Sequence, residues 1–181
     1  IKSDVASLGT IFKEAGYATG YIGKWHLDGC PRDKFTPPGP RRLGFDYWAV
    51  HNCNHKYWDS FYYTDSEERI PIEGYEPQHQ TDLACKFMEE HQDERWLLTL
   101  SWAPPHDPYD TAPDEFKKMF KPKSIKLRPN VPEDEADAAR EKIAGYYAHI
   151  AALDELMGQM IEKLDELGQT DKTLIIFTSD H

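Results

Sequence analysis

Lys24 and His26 lie at the end of a short apolar stretch and are the first residues along the chain whose types suit chemistry. The stretch 17–23 has the character of a buried strand. Alternate side chains of an extended chain project to the same side, so Lys24 and His26 are expected to face one way while Trp25 turns the other way to pack. A fixed cation beside a group that transfers protons suits an anionic ligand.

Titratable residues also follow two later apolar stretches. His106 lies in a proline-rich turn after the predicted strand 96–102, and Asp180 and His181 follow the predicted strand 173–178. A continuous apolar run such as the last one is typical of a strand covered on both faces, as in a parallel sheet. Ligands bind beyond the carboxyl ends of such strands. Three strand ends are therefore expected to converge on one active site.

Aromatic residues are concentrated between residues 45 and 63, with polar residues between them. Aromatic faces stack on sugar rings while amides and imidazoles bind hydroxyls, so His51, Asn54 and His55 are candidate substrate ligands in a carbohydrate subsite. Core packing is the equal alternative for the aromatic residues themselves, which are Phe45, Tyr47, Trp48, Tyr57, Trp58, Phe61, Tyr62 and Tyr63. A zinc site of His51, Cys53 and His55 is a weaker alternative, because no fourth ligand is apparent.

The elements that must position these residues follow from hydrophobic periodicity. Helices are predicted over residues 4–15, 79–92, 114–120 and 133–167, and strands over residues 17–23, 96–102 and 173–178. Strands that alternate with helices in this way are typical of a parallel sheet flanked by helices. The sequence therefore predicts an α/β fold.

Two predicted helices carry an apolar face that is expected to belong to the core. The first has Ser3 or Asp4 as its N-cap, and its apolar face consists of Val5, Leu8, Ile11, Phe12 and Ala15. The long helix ends at Gly168, and its apolar stripe consists of Ile143, Tyr147, Ile150, Leu153, Met157, Met160, Ile161, Leu164 and Leu167. His149 lies beside this stripe and is expected to be a satisfied structural residue.

The composition excludes several classes of protein. The chain has 181 residues, a formal net charge of -11 and three scattered cysteines, which do not make a disulfide framework. No apolar run reaches the ~18 residues that a membrane-spanning helix needs. Nothing resembles a recognition helix or a basic face with interleaved aromatic residues, so no nucleic-acid partner is expected.

Positive charge is concentrated in one segment. Residues 117–128 (KKMFKPKSIKLR) contain six basic residues and no acidic one, which leaves -17 on the rest of the chain. A solvated loop after a short helix explains this segment. The functional alternative is a rim that attracts a polyanionic substrate, which the negative charge of the whole chain would otherwise repel at long range.

These segments resemble those of the sulfatase family, the formylglycine-dependent branch of the alkaline-phosphatase-like hydrolases. The resemblance rests on residues 16–26 (Gly-Tyr-x-Thr-x-x-x-Gly-Lys-Trp-His), 104–109 (Pro-Pro-His-x-Pro-Tyr) and 177–181 (Phe-Thr-Ser-Asp-His), with lesser matches at 43–47 and 146–181. The segments occur in the family's order. The resemblance implies an alkaline-phosphatase-like, mostly parallel sheet flanked by helices that is incomplete in this chain.

The resemblance also implies roles for individual residues. Lys24 would bind a sulfate oxygen and help to stabilise negative charge, and His26 would handle the proton of the formylglycine nucleophile. His106 would contact the sulfate or act as the general acid at the leaving oxygen. Asp180 would ligate calcium, and His181 would stand at the neighbouring metal position. Calcium prefers oxygen ligands, which suits Asp180 better than His181.

The nucleophile motif of the family, Cys or Ser followed by x-Pro/Ala-x-Arg, is absent. Cys30 has Arg32 and Lys34 at the third and fifth places, and Ser124 has Lys126 where the motif needs Pro or Ala. The acidic metal ligands that precede the nucleophile and a later lysine are also missing. Residues 1–181 are therefore expected to be the central part of a single sulfatase catalytic domain, inactive alone, with formylglycine on a residue outside this chain.

We predict a calcium-dependent sulfuric ester hydrolase that acts on a sulfated carbohydrate or a related sulfate ester. One alternative is a phosphodiesterase or phosphonate monoester hydrolase of the same superfamily, and another is a relative that binds sulfated glycans without cleaving them. The family implies export to a periplasmic, secreted or lysosomal location. The oligomeric state is left open.

Overall fold

The computed structural model describes residues 5–29 and 31–179. The strands are β1 (Ala18–Lys24), β2 (Tyr47–His51), β3 (Phe61–Tyr62), β4 (Ile70–Pro71) and β5 (Trp96–Ser101). The helices are α1 (Leu8–Glu14), α2 (Glu76–Glu90), α3 (Asp114–Lys117) and α4 (Ala136–Glu166), and short 3-10 turns cover residues 40–42, 109–111, 122–124, 133–135 and 170–172.

Three of the strands form a parallel sheet in the order β2-β1-β5, and β3 and β4 form a separate antiparallel pair. Helices α1 and α2 pack against β1, and α4 packs on α2. Parallel neighbours require crossover connections, and α2 lies in the connection that leads to β5. The predicted α/β fold class is confirmed.

The central strand β1 positions Lys24 through a close approach to β5. Gly23 has φ 99°, and a Cβ atom on it would lie 2.2 Å from the carbonyl oxygen of Ser101. Only glycine tolerates both the left-handed backbone and this contact. Trp25 is buried, as predicted, with its ring centroid 4.8 Å from Tyr21 and 5.0 Å from Trp48. Lys24 thus lies between Gly23, which packs closely against β5, and Trp25, which is buried in the core.

Helix α1 is shorter than predicted, and its first residue is Leu8. Residues 5–7 are not helical, because Ser7 caps the helix: its Oγ accepts a hydrogen bond from the amide of Thr10, whose Oγ1 accepts one from the Ser7 amide. The predicted caps Ser3 and Asp4 lie outside the described residues. The predicted core face is also wrong in part, since Leu8 and Ile11 are more than half exposed.

Helix α4 matches its predicted extent, but its buried face is rotated relative to the prediction. The residues that face the interior are Ala144, Gly145, Ala148, His149, Ala152, Leu153, Leu156 and Leu164. Tyr147, Ile150 and Ile161 of the predicted stripe are exposed. Small residues line the buried face because other segments pack directly on the helix backbone there. At Gly145, for example, a Cβ atom would lie 2.2 Å from the carbonyl oxygen of Tyr109.

The predicted strand 173–178 is not formed. Residues 173–179 have no regular secondary structure and pair with none of the strands within residues 5–29 and 31–179. Leu174, Ile176 and Phe177 are 84%, 77% and 71% exposed. An apolar run becomes a strand only when a neighbour supplies hydrogen bonds along its edge, and no described strand does so.

Candidate active site

The carboxyl ends of β1, β2 and β5 converge at one edge of the sheet, so two of the three predicted strand ends meet there, whereas the predicted strand 173–178 is not formed. Lys24 ends β1 and lies in register with His51, the last residue of β2. His106 follows β5 by five residues and comes to lie beside His55, with 4.3 Å between the two ring centroids. The arrangement brings together side chains from three separate parts of the chain at one edge of the sheet.

His55, His106 and Asp107 form the tightest group in this cluster. One ligand atom of each lies within 4.8 Å of the others. The Nδ1 atom of His106 lies 2.7 Å from the carboxylate of Asp107 and 3.0 Å from the Asp107 carbonyl oxygen. A carbonyl oxygen only accepts, so Nδ1 carries the proton in this contact, which leaves Nε2 of His106 available to a ligand.

The surroundings of His55 are positively charged. Burial lowers the pKa of His55, and the nearby His106, Lys24 and Arg32 lower it further, while Asp107 raises it. Two permanent cations and a neighbouring imidazole thus act on His55, and a single carboxylate opposes them. Such surroundings attract an anion and disfavour a metal cation at His55. Neither Arg32 nor Asp107 is among the site residues predicted from the sequence, although Asp107 adjoins a predicted site residue.

Tyr57 holds the backbone of the segment that carries His106. Its side chain is 1% exposed, and its hydroxyl donates to the carbonyl oxygens of His106 and Asp107, both at 3.0 Å. The amide of His106 also donates to the carbonyl oxygen of Ala103. The position of His106 is therefore determined by a tyrosine that lies 49 residues earlier in the chain.

His149 is a second buried residue that contacts the segment that carries His106. Its Nε2 atom lies 3.3 Å from the carbonyl oxygen of Pro108 and its Nδ1 atom lies 3.0 Å from the hydroxyl of Tyr75. A carbonyl cannot donate, so Nε2 carries the proton and Nδ1 accepts from Tyr75. His149 is fully buried, and burial lowers its pKa to about 4. The prediction that His149 is a satisfied structural residue is confirmed.

His51 is buried behind the site rather than open to a substrate. It is 1% exposed, and its Nε2 atom lies 3.3 Å from a carboxylate oxygen of the fully buried Glu76. Burial lowers the pKa of His51, with Lys24 and His55 lowering it further, and burial raises the pKa of Glu76 to about 7. As placed, His51 has no surface on which to contact a substrate, because the last four residues of β2 are all buried.

The other predicted ligands have different placements. His26 is exposed, but its φ of 52° breaks the extended backbone, so the argument from alternating side chains does not hold for Lys24 and His26. Asn54 is occupied internally, because its amide nitrogen donates to Ser60 Oγ at 2.6 Å. The predicted metal ligands Asp180 and His181 lie outside the described residues.

The aromatic residues between 45 and 63 are mainly core. Phe45, Trp48, Tyr57 and Tyr63 are buried, whereas Trp58 is 41% exposed. The weaker zinc alternative of His51, Cys53 and His55 loses His51, which faces Glu76. The other two residues are close together, with 3.7 Å between Cys53 Sγ and His55 Nε2. Within residues 5–29 and 31–179, the group with metal-ligand geometry is the His55 group, and the cations around it oppose a metal ion.

Comparison with known proteins identifies relatives along the whole chain. The family model described as Sulfatase matches residues 1–181. An ulvan-active sulfatase from Formosa agariphila is 39% identical over 184 residues, which cover 100% of this chain and 36% of that protein. An endo-4-O-sulfatase from Bacteroides thetaiotaomicron is 28% identical and is covered over 41% of its length. The chain thus spans less than half the length of these curated relatives.

A solved structure has a similar fold. The crystal structure of a Bacteroides fragilis protein described as a sulfatase, yidJ, aligns with 96% of this chain at a TM-score of 0.86 and 27% identity, and 43% of that protein is covered. The superposition covers the parallel sheet and its flanking helices. It shows that these elements belong to an alkaline-phosphatase-like fold.

Proposed function

The chain belongs to the sulfatase family, and from this premise we propose that its parent protein hydrolyses sulfate esters of a sulfated carbohydrate. Residues 1–181 are proposed to be the central part of a single catalytic domain. The curated relatives support both points, because both are named as sulfatases, one of them as ulvan-active, and because the chain matches only part of their length.

The observation that carries this proposal is the anion site at the sheet edge. His55 and His106 lie side by side, Lys24 and Arg32 act on His55 electrostatically, and Asp107 is bound to His106. Sulfate transfer places negative charge on the equatorial oxygens, as phosphoryl transfer does. Groups that are fixed before the reaction stabilise such charge without having to reorganise. The anion site has this preorganised character.

Each residue can be given a task within the proposal. Lys24 binds a sulfate oxygen and offsets its charge. His106 directs Nε2 toward the leaving oxygen and donates a proton to it, while Asp107 holds the imidazole through Nδ1. His26 is assigned to the proton of the nucleophile on the basis of the family motif. His55 is assigned to the rim of the sulfate site, where its partner is His106.

Two further groups are proposed on the basis of the family. Asp180 and His181 are assigned to a divalent cation, with calcium as the proposed ion, and formylglycine is assigned to a residue outside this chain. The ion would supply positive charge to the sulfate, and formylglycine would supply the nucleophile. Asp180 offers the oxygen ligand that calcium prefers.

Export of the parent protein is also proposed. One of the relatives is a C. elegans protein whose name places it outside the cell, and it is 28% identical over 97% of this chain. Within the described residues, no helix is long and apolar enough to cross a membrane.

The test uses the full-length protein and single substitutions at the anion site. We expect Lys24→Ala and His106→Ala each to lower the rate of sulfate release by roughly a hundredfold or more, which is the usual loss for one electrostatic or acid–base group. The measurement is sulfate release from 4-nitrophenyl sulfate and from a sulfated oligosaccharide.

His91→Ala is the matched control, since His91 lies at the end of α2 and pairs with Glu94 at 2.5 Å. Its rate should stay close to that of the wild type. Near-normal rates for Lys24→Ala and His106→Ala in folded protein would refute the assignment of the site.

A further inference from the structure

An open cleft begins beside His106. It has a volume of about 650 Å³, and its wall starts at Asp107 and continues along the segment 108–110 to α3 and α4. Asp107 contacts His106 at 2.7 Å and also lines the cleft, so the anion site and the cleft share a residue. The cleft therefore begins next to the segment that carries His106.

The cleft has the lining of a site for a sugar ring. Tyr109 and Phe120 supply aromatic faces, and both are half-buried. Lys117 and Lys142 supply donors, while Asp107, Asp110 and Glu141 supply acceptors. The two lysines and three carboxylates of the lining nearly balance in charge. The charge of Lys117 is also offset by its ion pair with Asp114 at 2.8 Å. This lining favours an uncharged ring with hydroxyl groups over a strongly charged group.

One end of the cleft continues into the basic segment 117–128. Lys117, Phe120 and Pro122 belong to both. All six basic side chains of the segment are exposed. Within residues 5–29 and 31–179, the ion pairs of the segment are limited to that of Lys117 with Asp114, which leaves five cations to attract a ligand.

The structure also fixes the segment next to the site. The Nζ atom of Lys117 donates to the carbonyl oxygen of Asp110 at 3.2 Å, and the ring of Phe120 packs 5.8 Å from that of Tyr147 on α4. The segment is therefore not a free loop at its start. The positively charged residues at its start therefore have a defined position relative to His106.

We propose that this cleft and the basic segment bind the part of a polyanionic glycan that extends beyond the sulfated sugar at His106, an inference that rests on the proposed function. One sugar ring of the chain occupies the cleft between Tyr109 and Phe120. The anionic substituents of the following sugars lie along Lys118, Lys121, Lys123, Lys126 and Arg128. The substrate class is thus an extended anionic polysaccharide rather than a small sulfate ester.

The test measures binding to the full-length protein, with dextran sulfate as the probe and uncharged dextran as its control. In the triple variant Lys121→Glu, Lys123→Glu, Lys126→Glu, we expect the Kd for dextran sulfate to rise roughly tenfold or more at low ionic strength. The difference should shrink as salt is added, because the screening length falls from about 30 Å at 0.01 M to about 3 Å at 1 M.

A matched triple variant separates a local effect from the effect of net charge. Lys13→Glu, Lys86→Glu, Lys172→Glu makes the same change of charge on α1, α2 and the turn 170–172, which do not line the cleft. We expect it to bind dextran sulfate nearly as the wild type does. Equal weakening in the two triple variants, or no weakening in the first, would overturn the role of the basic segment.

Phe120→Ala tests the cleft without any change of charge. We expect a several-fold rise in the Kd for a sparsely sulfated dextran, whose uncharged rings can enter the cleft, and this rise should persist at high salt because aromatic stacking is not screened. Unchanged affinity in folded protein would overturn the role of the cleft. Failure of the wild-type protein to release sulfate from sulfated oligosaccharides would refute the proposed function alone, since the binding measurements do not depend on turnover.

Discussion

At the scale of single residues, the site depends on side chains that do not touch the ligand. His106 is recognisable in the sequence, but Tyr57 and His149 determine where it lies, and both act on backbone carbonyl oxygens. A buried carbonyl that loses its partner costs about 1–3 kcal/mol. The positions of His106 and Asp107 should therefore be sensitive to changes in the interior.

Tyr57→Phe should impair catalysis more than its effect on folding explains. Loss of the hydroxyl leaves the carbonyl oxygens of His106 and Asp107 without their shared donor, so His106 is held less firmly. We expect kcat of the full-length protein to fall roughly tenfold, with little change in KM.

Tyr63→Phe is a close control for this prediction. Tyr63 is also buried, and its hydroxyl donates to the carbonyl oxygen of Asp33 at 3.0 Å, in a part of the structure that does not carry His106. A similar loss of stability is expected with a much smaller fall in kcat, since Tyr63 contacts the neighbour of Arg32 and not the segment that carries His106. Equal effects of the two substitutions on kcat would contradict a positioning role for Tyr57.

At the scale of secondary structure, the site requires the segment 107–111 to pack directly on α4. This packing is possible because Gly145 faces Tyr109, where a Cβ atom would lie 2.2 Å from a carbonyl oxygen. The cleft and the support from His149 both lie along this contact. A glycine within a helix is usually unfavourable, and here close packing explains its presence.

Gly145→Ala should destabilise the protein although alanine is the better helix former. The clash with Tyr109 forces the segment away from α4, and overpacking of this kind typically costs about 1–3 kcal/mol. Gly158→Ala on the same helix is the control, since nothing lies within 4 Å of its Cβ position. It should stabilise by up to ~1 kcal/mol. Chemical denaturation measures both, and a stabilising Gly145→Ala would contradict the contact.

At the scale of the whole molecule, burial of titratable groups links stability to pH. His149 is buried in its neutral form, and its pKa of about 4 lies below the ordinary value of 6.5. Between pH 4 and pH 6.5, His149 therefore binds a proton more readily in the unfolded chain than in the folded protein. The contribution of His149 to stability is fully present above pH 6.5 and is lost as the pH falls toward 4.

Comparison of the wild type with His149→Gln isolates this contribution. The free energy of unfolding of the wild type should fall relative to that of the variant by ~3 kcal/mol between pH 6.5 and 4, as 1.36 kcal/mol per pKa unit implies. Denaturant titrations at several pH values provide the measurement. Parallel curves for the wild type and His149→Gln would contradict a neutral buried imidazole.

The sequence alone determined the α/β class, the positions of β1, β5 and α4, and the convergence of strand ends that brings Lys24 and His106 to one edge. These follow from local patterns and from the geometry of parallel strands. Tertiary structure decided which residues face the site, because burial depends on partners distant in the chain. It turned His51 toward Glu76 and rotated the core face of α4. It also left residues 173–179 without a strand partner and brought Arg32, Asp107 and Tyr57 to His106 and His55.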